Sequence, residues 1–440
     1  MSEYALFLGC TIPARFPYLE KSIRMVLEEL GVKYRELEGF TCCPTKTIIG
    51  IRDKSIWYLT AARNLAIAEK EGLDILTPCN GCYASLKSAL QEERLNNTLI
   101  EGLNKVGLEL KGEVQVKHLI EVLRDEVGIE KIKSHIEEGM EMYGLNLAVH
   151  YGCHLVRPSS AIHFDDPIEP NKLDALVEAT GAKSIEYENK MMCCGSALSS
   201  VDEEGSIALM RDKILNLQDI ADALVLTCPS CFMQFDSKQY LLKKAGETLN
   251  IPVIYISELL GLAMGFSPKE LGIEMHRIEI KSFIEKWKAK RKYYASIREH
   301  FPNLADLKTC YDCGACVQDC PVAKITYTTW DPKEIIGRIL NGENGELEAL
   351  INSEEIWKCL DCYTCYELCP QKFGMNKVFE KLKAIAGEKG CLPQPLDSSI
   401  NLFLKTGMLG EPTKIRKKLK LPELKKSGAE ELKKLLEHCK

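Results

Sequence analysis

The sequence predicts an α/β chain: two copies of one cysteine-rich, parallel-sheet unit, followed by a mostly α-helical module. Three observations carry this prediction. Over residues 1–265, short apolar stretches alternate with amphipathic helical ones, the pattern of parallel sheets covered by helices. The same order of cysteines punctuates that alternation twice. Beyond residue 300 the alternation stops, and two runs of identical spacing, C-x2-C-x2-C-x3-C-P, take its place.

The first copy opens on the strand "YALFLGC", which ends at Cys10. "PYLEKSIRMVLEELGV" has helical periodicity, with Ile23, Val26, Leu27 and Leu30 on one face. A second strand near "KYRELEG" leads into Cys42 and Cys43. "SIWYLTAARNLAIAEKEG" is a helix closed by Gly72. "LDILTPCNGC" is a strand running into Cys79 and Cys82, with the next helix expected from about Tyr83.

The second copy repeats this order. "LNLAVHYGC" ends at Cys153, "NKLDALVEATG" is a helix stopped at Gly181, and the strand "KSIEYE" precedes Cys193 and Cys194. "EGSIALMRDKILNLQDI" is helical, and "ADALVLTCPSC" is a strand running into Cys228 and Cys231. Each copy closes alike, on "VQVKHLIEVL" and "IPVIYISELL". In such sheets ligands sit outside the carboxyl ends of the strands, so each copy gathers five thiols at one sheet edge.

Adjacent cysteines have no obvious use as a disulfide, whose Cα atoms sit about 5.5–6 Å apart against roughly 3.8 Å between chain neighbours. Five thiols also exceed the four that one cubane or one zinc takes. A more open cluster, with a bridging thiolate or an exposed iron, fits the count better.

Composition bounds the rest. The chain carries 20 cysteines in 440 residues and no basic-then-apolar leader at its start. In a reducing compartment such cysteines mean metal or redox chemistry, so a cytoplasmic location is expected. A net charge of −6 gives no general reason to expect nucleic acid. No membrane span is expected, because "IPVIYISELLGLAMGF" is interrupted by Ser257 and Glu258 and reads as a strand and a helix.

"KSFIEKWKAKRKYYASIREH" is a charged helix suited to a linker. Beyond it lie Cys310, Cys313, Cys316 and Cys320, then Cys359, Cys362, Cys365 and Cys369, each run followed by proline. This is the run of bacterial two-cluster ferredoxins, whose fourth cysteine ligates the other cluster. One [4Fe-4S] cubane is therefore expected on Cys310, Cys313, Cys316 and Cys369, the other on Cys359, Cys362, Cys365 and Cys320. Residues 325–358 read as largely helical. Cys391 and Cys439 fall outside every motif and are expected to be non-ligands. The basic tail from Glu411 reads as a solvated helix face.

These motifs together carry a resemblance. "CCGSALSS" and the doubled five-cysteine pattern, over residues 1 to about 265, resemble the CCG domains of the B-type component of heterodisulfide reductase and its relatives. The C-terminal module resembles the C-type component, so the chain looks like a B–C fusion. The expected boundaries are residues 1–140 and 141–270 for two Rossmann-like CCG-type domains, 271–300 for a helical linker, and 301–440 for a helical ferredoxin-like domain.

The resemblance implies a non-cubane [4Fe-4S] cluster in each CCG domain. One would be held by Cys10, Cys42, Cys43, Cys79 and Cys82, the other by Cys153, Cys193, Cys194, Cys228 and Cys231. It implies reductive cleavage of the coenzyme M–coenzyme B heterodisulfide, a step of methanogenesis. It also implies electrons from a flavin- and iron–sulfur-containing A-type partner, with a hydrogenase or formate dehydrogenase module as a further partner. One departure is visible: Pro44 follows the first cysteine pair where Gly195 follows the second. Proline cannot adopt the positive φ that glycine allows, and zinc is the alternative metal at the first site.

Catalytic roles are expected for Cys153, Cys193, Cys194 and His154, the last as proton donor to a departing thiolate. Arg157 and Lys46 are candidates for an anionic substrate group. The plainer readings are a core histidine at His150, a structural ion pair at Arg157 and a solvated lysine at Lys46. No GxGxxG or P-loop motif occurs, so no flavin is expected on this chain and electrons come from elsewhere. Two other functions fit the motifs. One is an electron relay in a fumarate, lactate, glycolate or glycerol-3-phosphate redox complex; the other is a zinc-stabilised scaffold.

Overall fold

The computed structural model describes residues 2–44, 49–91, 97–325, 329–342, 345–410, 414–422 and 429–437. The chain forms two compact units, Met1–Ala295 and Ser296–Lys440.

The first unit holds two four-stranded sheets of one topology. In the first half, β1 (Tyr4–Leu6), β2 (Tyr34–Arg35), β3 (Asp74–Thr77) and β4 (Val116–His118) lie in the order β2-β1-β3-β4. In the second, β5 (Asn146–His150), β6 (Lys183–Ile185), β7 (Ala223–Leu226) and β8 (Val253–Tyr255) lie in the order β6-β5-β7-β8. Every pairing is parallel. Strands β1 and β7 are buried along their whole length, which is why they read as unbroken apolar runs.

This topology positions the site. From β1 the chain turns to one side to make β2 and then to the other to make β3. The crevice at the carboxyl ends of β1 and β3 is the switch point where such sheets receive ligands. Cys10 follows β1 and Cys79 follows β3; Cys153 and Cys228 occupy the equivalent places after β5 and β7.

The halves share one apolar core and pack reciprocally. The helix Pro17–Glu29 of the first half lies on Ile256–Ala263 of the second, and Lys172–Ala179 lies on Ile129–Ser134. The first of these helices buries Leu19, Ile23, Val26 and Leu27, each contributing roughly 1.5–3 kcal/mol. Phe16 meets Phe232 edge-on at 5.2 Å, and Tyr83 meets Phe164 at 6.3 Å. A buried hydrogen bond of 2.7 Å joins Ser22 to Ser257. The charged helix Lys281–Arg298 is anchored here too, because Phe283 and Trp287 enter this core.

The C-terminal unit is helical, with no strand among its described residues. Its helices Leu304–Cys313, Pro332–Asn341, Glu346–Ile351 and Asn376–Glu388 bury Leu307, Ile336, Ile351 and Phe379. Gln394–Thr406, Lys414–Lys418 and Ala429–Glu437 follow. Among the described residues no helix is long and apolar enough to cross a membrane.

Candidate metal centres

The ten cysteines of the first unit form two sets at the switch points. In the first, Cys10 Sγ lies 3.3 Å from Cys42 Sγ, and Cys43 Sγ lies 3.2 Å from Cys82 Sγ. Gly9, with φ +72°, lets the chain pass the site closely: a Cβ there would fall 2.6 Å from Cys82 Sγ. In the second set, Cys153 and Cys193 are 3.8 Å apart at sulfur, and Gly195 donates its N–H to Cys193 Sγ at 3.5 Å. Cys10 and Cys42 are exposed and Cys153 and Cys193 half-buried; Cys43, Cys79, Cys82, Cys194, Cys228 and Cys231 are buried.

The two sets meet. Cys79 and Cys228, from opposite halves, lie close enough to act on each other, the pair raising the Cys79 thiol and lowering that of Cys228. Beside them Asn80 Nδ2 donates to Tyr151 O at 2.7 Å, and Tyr255 OH donates to Pro78 O at 2.5 Å.

Crowded thiols cannot all ionise. Hydrogen bonds shared with Cys42 and Cys82 hold Cys43 down to about 4. Those shared with Cys153 and Cys194 hold Cys193 far below the ordinary thiol range. Their neighbours move the other way: Cys193 pushes Cys194 up to about 12. None of the described cysteines is paired in a disulfide. Sets of soft thiolates suit a thiophilic metal, above all iron–sulfur clusters or zinc. Buried polar atoms beside them support this fit, because His118 Nε2, His150 Nε2, Asn80 Oδ1 and Thr77 Oγ1 have no hydrogen-bond partner within the protein.

In the C-terminal unit a small pocket of about 30 Å³ is lined by Cys316 and Cys320 together with Cys359, Cys362 and Cys365. The two expected cubane sets adjoin there, and Cys313, Cys316, Cys365 and Cys369 all act electrostatically on Cys310. Burial pushes Cys310 up to about 12 and Cys316 and Cys359 up to about 11. Burial also works against Cys369, but N–H donors from Gly374 and Phe373, at 3.4 and 3.3 Å, lower it. Cys391 lies apart and donates to Asn352 Oδ1 at 3.0 Å. Cys439 and Lys46 lie outside the described residues.

Family models agree with these two arrangements. A "Cysteine-rich domain" matches residues 4–87 and 147–236, and a "4Fe-4S dicluster domain" matches residues 306–373. Over 294 residues the chain is 40% identical to the B-type component of the Methanosarcina acetivorans ferredoxin/F(420)H(2)-dependent CoB-CoM heterodisulfide reductase, covering 65% of this chain and 97% of that one. This chain belongs to the heterodisulfide reductase B family.

It carries more than a B-type component. Over 124 residues it is 32% identical to the C2 component of the Methanococcus maripaludis H(2)/formate:CoB-CoM heterodisulfide,ferredoxin reductase, covering 27% of this chain and 64% of that one. B-type and C-type segments are therefore joined in one polypeptide, and both relatives are named as parts of larger enzymes. A third relative, the membrane anchor of the Wolinella succinogenes 8-methylmenaquinol:fumarate reductase, is 32% identical over 286 residues, 63% of this chain and 97% of that one.

Within this B-family unit the residues beside the cysteines differ in what they touch. His154 is exposed, one residue beyond Cys153 in the short helix Cys153–Val156. Arg157 Nε donates to Pro167 O at 3.0 Å, a carbonyl partner and not an ion pair. His150 closes β5 and is buried, as a core histidine would be, but Lys213 Nζ lies 3.2 Å from its Nδ1. One of its ring nitrogens and the sulfurs of Cys194 and Cys231 lie within 4.8 Å of one another. Lys213 carried no signal in the sequence, where it sits in the charged stretch "MRDKIL".

Proposed function

We propose that this chain is the disulfide-cleaving B–C part of a reductase complex, and that its substrate is the coenzyme M–coenzyme B heterodisulfide named for its relatives. The adjacency of two five-thiol sets, each with sulfurs that reach solvent (Cys10 and Cys42, Cys153 and Cys193), carries this reading, because it offers two soft-metal sites to the two sulfurs of one disulfide. The reaction breaks one S–S bond, consumes two electrons and two protons, and releases two thiols.

When bound, iron–sulfur clusters supply the electrons one at a time. Two cubanes would sit on the C-terminal cysteines, crossed as their spacing requires, and a non-cubane four-iron cluster on each five-cysteine set; zinc is the alternative at Cys10, Cys42, Cys43, Cys79 and Cys82. Cys153 and Cys193 form the open side of the second set, while Cys194, Cys228 and Cys231 close it off from solvent. That side receives the substrate sulfur, and Cys153, Cys193 and Cys194 are its catalytic thiols. His154 is the proposed proton donor to the departing thiolate. Arg157 and Lys46 are proposed contacts to anionic substrate groups. Electrons come from a flavin- and iron–sulfur-bearing A-type partner, which takes them from a hydrogenase or formate dehydrogenase module.

Replacing Cys194 by serine tests the catalytic assignment. With reduced viologen dye as donor, Cys194→Ser is expected to lose disulfide cleavage while the two cubane signals in EPR remain. Full turnover by this variant would refute the assignment. The fumarate-reductase relative favours a second reading, in which the chain relays electrons to chemistry on another polypeptide. A relay would hold its iron and leave the disulfide uncut in both the wild type and the variant.

A further inference from the structure

The two halves repeat one fold, yet they surround their cysteines differently. Lys213 is completely buried. Its Nζ lies 3.2 Å from His150 Nδ1 and 3.0 Å from Lys190 O, and 5.5 Å from the centre of the Tyr187 ring. None of these three partners is an anion, and burying an ammonium without one is costly. Burial pushes Lys213 down to about 8, and the groups that oppose this most strongly are the sulfurs of Cys231, Cys194 and Cys193.

The chemistry of this contact fixes the histidine. An ammonium only donates, so His150 Nδ1 accepts and the neutral ring carries its proton on Nε2. That Nε2 is buried with no acceptor in the protein. With Cys194 and Cys231 beside the ring, an N–H is held out to the sulfur of the second site. The same proton excludes Nε2 as a metal ligand, which requires a bare nitrogen.

The first half has a buried histidine of its own, His118, whose Nδ1 accepts from Ile120 N and whose Nε2 has no partner, but no lysine–histidine pair at the matching positions. Phe7 stands three residues before Cys10 as His150 stands three before Cys153, and Asn64 stands fifteen before Cys79 as Lys213 stands fifteen before Cys228. Asn64 is also buried and holds the loop before its cysteine pair, accepting from Thr41 N at 3.0 Å and donating to Thr41 O at 3.3 Å. Holding that loop therefore needs no charge. Pro44 also lacks the N–H that Gly195 gives to Cys193.

Resting on the iron–sulfur reading above, we propose that Lys213 and His150 form a buried donor chain that makes the second site the more easily reduced of the two. Hydrogen bonds and positive charge at the sulfurs raise a cluster's potential, because they stabilise the added electron. Lys213 acts through His150 and is a positioning residue; His150 is the group that faces the sulfur. Electrons entering the unit then collect at the second site.

The test is an EPR-monitored potentiometric titration of the full, iron-loaded chain against His150→Phe and Lys213→Gln. The second-site signal is first identified by its loss in Cys194→Ser. Each variant is expected to keep its iron and to lower the reduced fraction of that signal at least tenfold at fixed potential, a shift of about 59 mV for one electron. The first-site and cubane potentials stay in place. Unchanged second-site potentials with iron retained would overturn the proposal. So would loss of iron from both variants, which is the mark of a purely structural role. In a chain labelled with 15N-histidine, a coupling typical of nitrogen bonded to iron would also overturn it, by making His150 a ligand. Absence of iron at the second site in the wild-type chain is seen before any variant is made, and removes the underlying reading along with the proposal.

Discussion

Cys194 is followed by a residue that resists replacement. Gly195 has φ +81°, and a Cβ there would meet Ser206 O at 3.0 Å. Gly195→Ala is expected to cost about 1–2 kcal/mol from the left-handed backbone alone, read from urea unfolding of the metal-free chain; an unchanged midpoint contradicts this. The C-terminal thiols make a pH prediction. Cys310, Cys316 and Cys359 are pushed up to about 12, 11 and 11 by burial, so at neutral pH they are protonated without metal. Metal must displace those protons, and cobalt(II) uptake should tighten as pH rises from about 6.5 to about 8.5; a flat profile counts against it. At this scale the sequence was legible where residue type alone speaks. All eighteen motif cysteines stood out by spacing, and the Pro44–Gly195 difference was visible. His150 and Lys213 were not, because a strand histidine and a helix lysine look ordinary until tertiary packing buries them together.

Each switch-point crevice depends on how its strands end. Tyr255 closes β8 and reaches across the halves to Pro78 O, next to Cys79. Tyr255→Phe leaves that carbonyl unpaired in a buried place and should destabilise the first unit by about 1–3 kcal/mol; a calorimetric melt indistinguishable from wild type would rule this out. The strands were legible as apolar runs between helices, including β8 within "IPVIYISELL". Element edges were harder. The helix expected from about Tyr83 begins at Asn80, because Asn80 is held on Tyr151 O across the halves, a contact that "CNGC" does not announce. Strand β2 is only Tyr34–Arg35, half-exposed at the sheet edge, where a charged stretch has little to bury.

At the scale of the whole molecule, duplication builds two similar thiol sets and joins them at one place, while fusion supplies a cluster-binding module on the same polypeptide. The repeat and its cysteines made the architecture readable before any coordinates. The closeness of Cys79 to Cys228 was not, since it arises from the reciprocal packing of helices between halves. The proposed metal content can be counted. Four four-iron clusters require about 16 irons per chain, whereas zinc at the first set would leave about 12 irons and one zinc. In the proposed function the disulfide is cut on this chain. The most direct measurement is anaerobic reduction of the coenzyme M–coenzyme B heterodisulfide by reduced viologen dye with the iron-loaded chain alone, counting both products. Rapid dye oxidation is expected, with one of each thiol released for every two electrons consumed. Dye that stays reduced in the presence of a fully iron-loaded chain would contradict it.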